Sequence, residues 1–123
     1  DKGGVWETAP EMQILDDMRH PDGRSDLTSA GADYAMHAPK RDVVRDAGEW
    51  NEVRIVAKGG DIEYWLNGYK IVSYTIGSAD WLMRKAASKF ASLPDFGMRK
   101  RGKIVLQDHG QKVWFRNIRI KRL

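Results

Sequence analysis

Gly48-Glu49-Trp50-Asn51-Glu52-Val53-Arg54-Ile55-Val56 runs through Ala57 and Lys58 into Gly59-Gly60, then into Asp61-Ile62-Glu63-Tyr64-Trp65-Leu66-Asn67-Gly68. From Trp50 to Lys58 the side chains alternate, which puts Val53, Ile55 and Ala57 on one side of a strand. Gly59-Gly60 suits a two-residue hairpin turn, and Asp61 to Leu66 is the return strand. Asn67-Gly68 is a strong hairpin signal, because both residues tolerate positive φ. Tyr69 to Thr75 then reads as a third strand. The block is an antiparallel meander.

Working outward, Ser78 is a helix N-cap, with Asp80 in the first turn of a helix that extends to about Lys89. Pro94 and Gly97 end that element. Two more strands are expected over 103–107 and 112–120, with a Gly turn at Gly110. Upstream, residues 1–9 are an irregular lead-in and Glu11 to Leu15 is a short alternating strand. Between Asp16 and Lys40 the Asp, Gly, Ser, Pro and Ala content is that of a loop, in which Tyr34 and Met36 suggest a small strand. The fold class is all-β: an antiparallel β-sandwich or jelly roll with one short helix.

With 123 residues the chain is one domain at most. A hydrophobic share of 41% and five Trp suffice for a core. Mean hydropathy is −0.59, and no apolar run approaches the roughly 20 residues of a membrane span. Opening on Asp1, the chain reads as a processed or trimmed product. It has no Cys, so disulfides and thiol catalysis are excluded. Net charge is +4, with basic residues gathered toward the C-terminus from Arg99 to Arg122. They read as solvated faces and a charged edge strand. No nucleic-acid-binding module accompanies them, and there is no Gly-rich phosphate loop, zinc-type spacing or Gly-x-Ser-x-Gly.

Alternation also sorts the polar residues. Ile62, Tyr64 and Leu66 share one face, and Glu63 and Trp65 the other. Met12 and Ile14 oppose Glu11 and Gln13, and Ile104 and Leu106 face the core while Val105 and Gln107 oppose them. If these strands share a sheet, one face shows Glu11, Gln13, Glu63, Trp65 and Gln107. Such a face suits a sugar, with amides and carboxylates on hydroxyls and an indole on C–H surfaces; an ordinary solvent face is the plainer alternative. Asp16, Asp17 and His20 have loop spacing that suits convergence on a cation or a hydroxyl. His109 beside Asp108 sits in a tight turn. His37 is structural or solvated, and Lys89 near a helix end suits the helix dipole.

Five motifs in order carry a family resemblance: Glu11-Met12-Gln13-Ile14-Leu15-Asp16 with His20-Pro21-Asp22; Gly48 to Val56; Trp65-Leu66-Asn67-Gly68; Ala87-Ser88-Lys89-Phe90; and Leu106-Gln107-Asp108-His109-Gly110 with Val113 to Ile118. The chain resembles the bacterial 3-keto-disaccharide hydrolase family, formerly a domain of unknown function, whose fold is a concanavalin-A-like jelly roll. On that resemblance, residues 1–123 correspond to the C-terminal two-thirds of the domain. An N-terminal segment or a second chain would then complete the sandwich. Tyr64 stands where many relatives have His, a departure that bears on activity.

The resemblance implies an enzyme acting on an oxidised carbohydrate, a 3-keto-glycoside, by C2 proton abstraction, elimination and hydration. For that chemistry, catalytic roles are expected for Glu11, Asp16, His20, Lys89 and His109, and substrate-binding roles for Gln13, Glu63, Tyr64, Trp65 and Gln107. The base would be Glu11, Asp16 or His20. Lys89, His109 or a divalent cation, calcium, manganese or similar, would stabilise the enolate. No organic cofactor and no nucleic-acid partner is implied, and export to the periplasm or surface of a bacterium is expected. The rival readings are a non-catalytic carbohydrate-binding module, a conventional glycoside hydrolase with two carboxylates, and a structural or interaction domain.

Overall fold

A computed structural model describes residues 4–123. At its centre lies the expected meander: β1 (Val53–Lys58), β2 (Asp61–Leu66) and β3 (Tyr69–Thr75), antiparallel in the order β1-β2-β3. Register pairs Ile55 with Tyr64 and Tyr64 with Val72, with an irregularity between Tyr64 and Trp65. Asn67 (φ 50°) and Gly68 (φ 85°) form the turn into β3. Strand β1 starts at Val53 rather than Trp50 because Asn51 is engaged elsewhere. Its amide accepts from the Arg45 N–H (2.8 Å) and donates to the Arg45 carbonyl (3.2 Å), holding a loop instead of a ladder.

One helix follows, α1 (Ala79–Ala86), capped by Ser78, whose hydroxyl accepts from the Trp81 N–H at 3.2 Å. It stops short of Lys89 because Ser88 Oγ donates to the Lys85 carbonyl (2.8 Å) and accepts from the Phe90 N–H (3.1 Å). That side chain replaces the next helical hydrogen bonds and turns Lys89 out of the helix line.

The core packs Tyr64, Leu66, Ile71, Val72 and Tyr74 of the sheet against Met12, Met36, Trp81, Phe90 and Phe96. Phe96 lies near-parallel to both Phe90 (3.9 Å between centroids) and Trp81 (6.2 Å). The alternation in β2 is as expected, with Tyr64 and Leu66 buried and Glu63 and Trp65 half-buried on the other face.

The outer strands differ from expectation. Glu11 to Leu15 forms only an isolated bridge, Met12 to Asp33. Backbone bonds Gln13 N–H to Ala32 O, Gly31 N–H to Gln13 O and Tyr34 N–H to Glu11 O still fasten it to 31–34. No strand includes Tyr34 and Met36. There the chain turns, with Ala35 at φ 61° and Asp33 bridged to His37.

Residues 103–107 and 112–120 belong to no sheet. Ile104 (76% exposed), Trp114 (69%) and Ile120 (79%) lie in solvent, so Ile104 and Leu106 do not face the core. A strand needs a neighbour for its N–H and C=O groups, and none of the described residues supplies one. Two packed sheets are likewise not formed among the described residues. The all-β class is carried by the meander, and one sheet with one short helix is its observed extent.

Candidate active site

Glu11 reaches the wall of an open cleft of about 400 Å³ lined by Trp6, Glu11, Tyr34, Lys89 and His109. Five separate stretches meet here. Trp6 comes from a 3-10 turn at Val5–Glu7. Glu11 and Tyr34 are joined by the Tyr34 N–H to Glu11 O bond. Lys89 is delivered by the turn that follows α1, and His109 by the C-terminal segment.

Lys89 carries the cation of the cleft. Its Nζ lies 4.3 Å from the Tyr34 ring centre, 5.4 Å from that of Phe90 and 5.6 Å from that of Trp6. Cation–π attraction from three rings holds it in place. Burial raises the Glu11 pKa above the ordinary carboxylate value. The charges of His109 and Lys89 and a hydrogen bond from Gln107 act in the opposite direction, and desolvation outweighs them. Glu11 is thus a half-buried carboxylate with a raised proton affinity, beside the Lys89 ammonium and the His109 ring.

His20 belongs to the same cluster. Its ring meets that of His109 edge-on, with centroids 4.9 Å apart. The Asp22 N–H donates to His20 Nδ1 at 3.1 Å, so the neutral ring carries its proton on Nε2. The Tyr34 hydroxyl donates to Asp22 Oδ2 at 3.3 Å, which links the cleft wall to this loop.

The remaining site candidates fall elsewhere. Asp16 accepts from the Met18 N–H (3.2 Å) and lies 3.8 Å from Arg19. Asp17 accepts from the Ala30 N–H (2.8 Å) and pins the loop. Among the described residues no three His, Asp or Glu side chains converge as metal ligands, so Asp16, Asp17 and His20 do not form the expected cation site.

Tyr64 is 2% exposed and shares a 2.9 Å hydrogen bond with the Tyr74 hydroxyl. It is a core residue, not a cleft wall. Glu63 and Trp65 do not join Glu11 either. Trp65 Nε1 donates to Glu63 Oε2 (2.8 Å), Lys70 reaches Glu63 Oε1 (3.2 Å), and Arg54 lies 4.2 Å above the indole. These four form a surface network on the outer face of the sheet. Gln13, 1% exposed, donates to the Thr28 carbonyl at 3.2 Å and has no free face for a sugar. Gln107 donates to both Glu11 and Gln13.

Trp6 and Tyr34 line the cleft without having been singled out as binding residues. Alternation is silent about a 3-10 turn and a long loop, and an aromatic residue in each was the only available signal.

Residues 1–121 match the family of the 3-keto-alpha-glucoside-1,2-lyase-like domain. The chain belongs to that family. A 3-keto-disaccharide hydrolase of Bacteroides thetaiotaomicron is 32% identical over 132 residues, which cover 97% of this chain and 46% of the relative. A crystal structure of a Parabacteroides distasonis protein, provisionally assigned as a glycosyl hydrolase, superposes with a TM-score of 0.68 at 37% identity. That match covers 78% of this chain and 46% of that one. This chain therefore spans about half the length of these two relatives. The likeness bears out the all-β fold class and the resemblance carried by the five motifs.

Proposed function

We propose that the protein cleaves 3-keto-glycosides by elimination and hydration, with Glu11 as the general base. The family and the name of the Bacteroides relative support hydrolysis of a 3-keto-disaccharide in general terms. The observation that carries the finer reading is the half-buried Glu11 carboxylate in a cleft that also holds Lys89 and His109.

The chemistry follows from the ketone. A carbonyl at C3 acidifies the C2 proton, and Glu11 takes it; the C–H electron pair becomes the C2–C3 enolate. A base whose pKa is raised toward the working pH is better matched to this transfer. Negative charge grows on the C3 oxygen, where the Lys89 ammonium, held by its ring cage, stabilises it. The enolate then collapses to a C1–C2 double bond and expels the C1 oxygen substituent. Water adds across that bond, hydroxyl to C1 and proton to C2, so the net change is hydrolysis. His109 and the adjacent His20 are placed to supply the proton that the leaving oxygen needs. Trp6 and Tyr34 offer aromatic surface to the ring, and the cleft volume is within the range of small-molecule sites.

The test is to incubate the complete protein with a 3-keto-glucoside and with its unoxidised parent, in water and in D2O. Aglycone release from the keto form alone, deuterium at C2 and loss of both in Glu11→Gln are expected. Release from the parent would favour a conventional glycosidase. Binding without release would favour a sugar-binding module.

A further inference from the structure

From Met98 to Leu123 every residue but Gln107 is exposed. That one half-buried side chain crosses to the opposite end of the chain. Its Oε1 accepts from the Ile14 N–H at 2.6 Å. Its Nε2 donates to Gln13 Oε1 at 2.6 Å and to Glu11 Oε1. Both amide hydrogens are used, and the orientation is unambiguous. The Ile14 N–H can only donate and an ionised carboxylate can only accept, so the amide cannot be flipped. Gln13 is itself tied to the Thr28 carbonyl, which anchors the network in buried structure.

We propose that Gln107 is a positioning residue rather than a sugar ligand: it fixes the Glu11 carboxylate and docks the C-terminal segment so that His109, two residues on, enters the same cleft. The inference rests on the reading of Glu11 as the base. A full set of hydrogen bonds leaves Gln107 no donor for a substrate hydroxyl. Its hydrogen bond to Glu11 favours the ionised form, one of the effects opposing desolvation there. The same side chain that orients the base thus also restrains its proton affinity.

The experiment compares Gln107→Met and Gln107→Glu with wild type in the complete protein. The Glu11 side-chain carboxyl is followed by carbon-13 NMR against pH, alongside kcat and KM for a 3-keto-glucoside. Gln107→Met removes the donor at similar volume. Gln107→Glu keeps an acceptor for the Ile14 N–H and sets a like charge against Glu11. The Glu11 midpoint should rise in both, further in Gln107→Glu. In Gln107→Met kcat should fall about 10²-fold, the scale of a misplaced reacting group, with KM changed less than about threefold. The NMR readout stands without turnover and isolates the positioning claim. An unmoved Glu11 midpoint in both variants, or a rise in KM with kcat unchanged, would overturn it. If Glu11→Gln retains full turnover while the midpoints still move, the assignment of the base fails and the tie between Gln107 and Glu11 stands.

Discussion

His20 and His109 meet edge to face, 4.9 Å between ring centroids, and so join the loop after the first segment to the C-terminal segment. His109 stands in the cleft with Glu11, whose pKa its charge pulls downward against desolvation. Removing that ring with His109→Ala should therefore raise the Glu11 pKa further. A base acts when deprotonated, so the acid limb of the kcat/KM profile should move to higher pH. Rate measurements across the acid limb check this, and a limb that stays in place would separate His109 from the base.

Lys89 can be tested with its cage left intact. Met in place of Lys89 keeps a flexible side chain that packs favourably against Trp6, Tyr34 and Phe90 while the charge is lost. If the ammonium stabilises the enolate, kcat should fall about 10²- to 10³-fold. Stability should change by less than about 1 kcal/mol, as read by urea unfolding. An unchanged kcat would transfer enolate stabilisation to another group.

The buried position of Tyr64 gives a third expectation. Tyr64→Phe deletes one partner of the 2.9 Å bond to the Tyr74 hydroxyl. The loss should cost about 1 kcal/mol of stability and leave KM for the keto-glycoside unchanged, because the hydroxyl faces the core. A clear rise in KM would return Tyr64 to the binding residues.

Where local chemistry decides the structure, the sequence was sufficient. Alternation and Asn67-Gly68 specify the meander without help from distant residues, and Ser78 marks the helix start. The helix end was missed because Ser88 looks like an ordinary helix surface residue until its hydroxyl is seen bonding the Lys85 carbonyl. Residues 103–107 and 112–120 have strand-like patterns, but a strand exists only with a neighbour, and pattern alone cannot supply one. At the site, Glu11, His20, Lys89 and His109 were identified by motif, and the fold brings them together. Gln13 and Gln107 have the chemistry of sugar ligands. Only their mutual hydrogen bond, spanning nearly the whole chain, shows that the amides are already occupied. Glu63 and Trp65 were placed on the correct face of β2, but Glu11 does not share that face.

Asp33 yields a prediction about stability and pH. Its carboxylate is fully buried, with Oδ2 2.8 Å from His37 Nδ1 and Oδ1 without a hydrogen bond. His37 stacks on Tyr74 at 4.8 Å and points Nε2 toward Asp80 of α1 at 3.6 Å, where Arg84 holds Asp80. Desolvation raises the Asp33 pKa above its ordinary 3.8, more than His37 and the nearby hydroxyls of Tyr64 and Tyr74 lower it. Below about pH 3.8 both the folded and unfolded forms hold the proton, and the group carries no penalty. As pH rises toward the higher native pKa, the unfolded chain releases the proton first, so stability falls, by up to about 1.4 kcal/mol per pH unit. Above the native pKa the penalty is constant. Asp33→Asn has no such titration. The stability of the variant relative to wild type should therefore increase from pH 4 upward and then level off, whatever constant loss the His37 contact adds. Urea unfolding of both proteins at intervals between pH 4 and 8 gives the curve. A difference that stays flat across that range would mean that Asp33 is ionised in the folded protein as readily as in the unfolded chain, with His37 offsetting its burial.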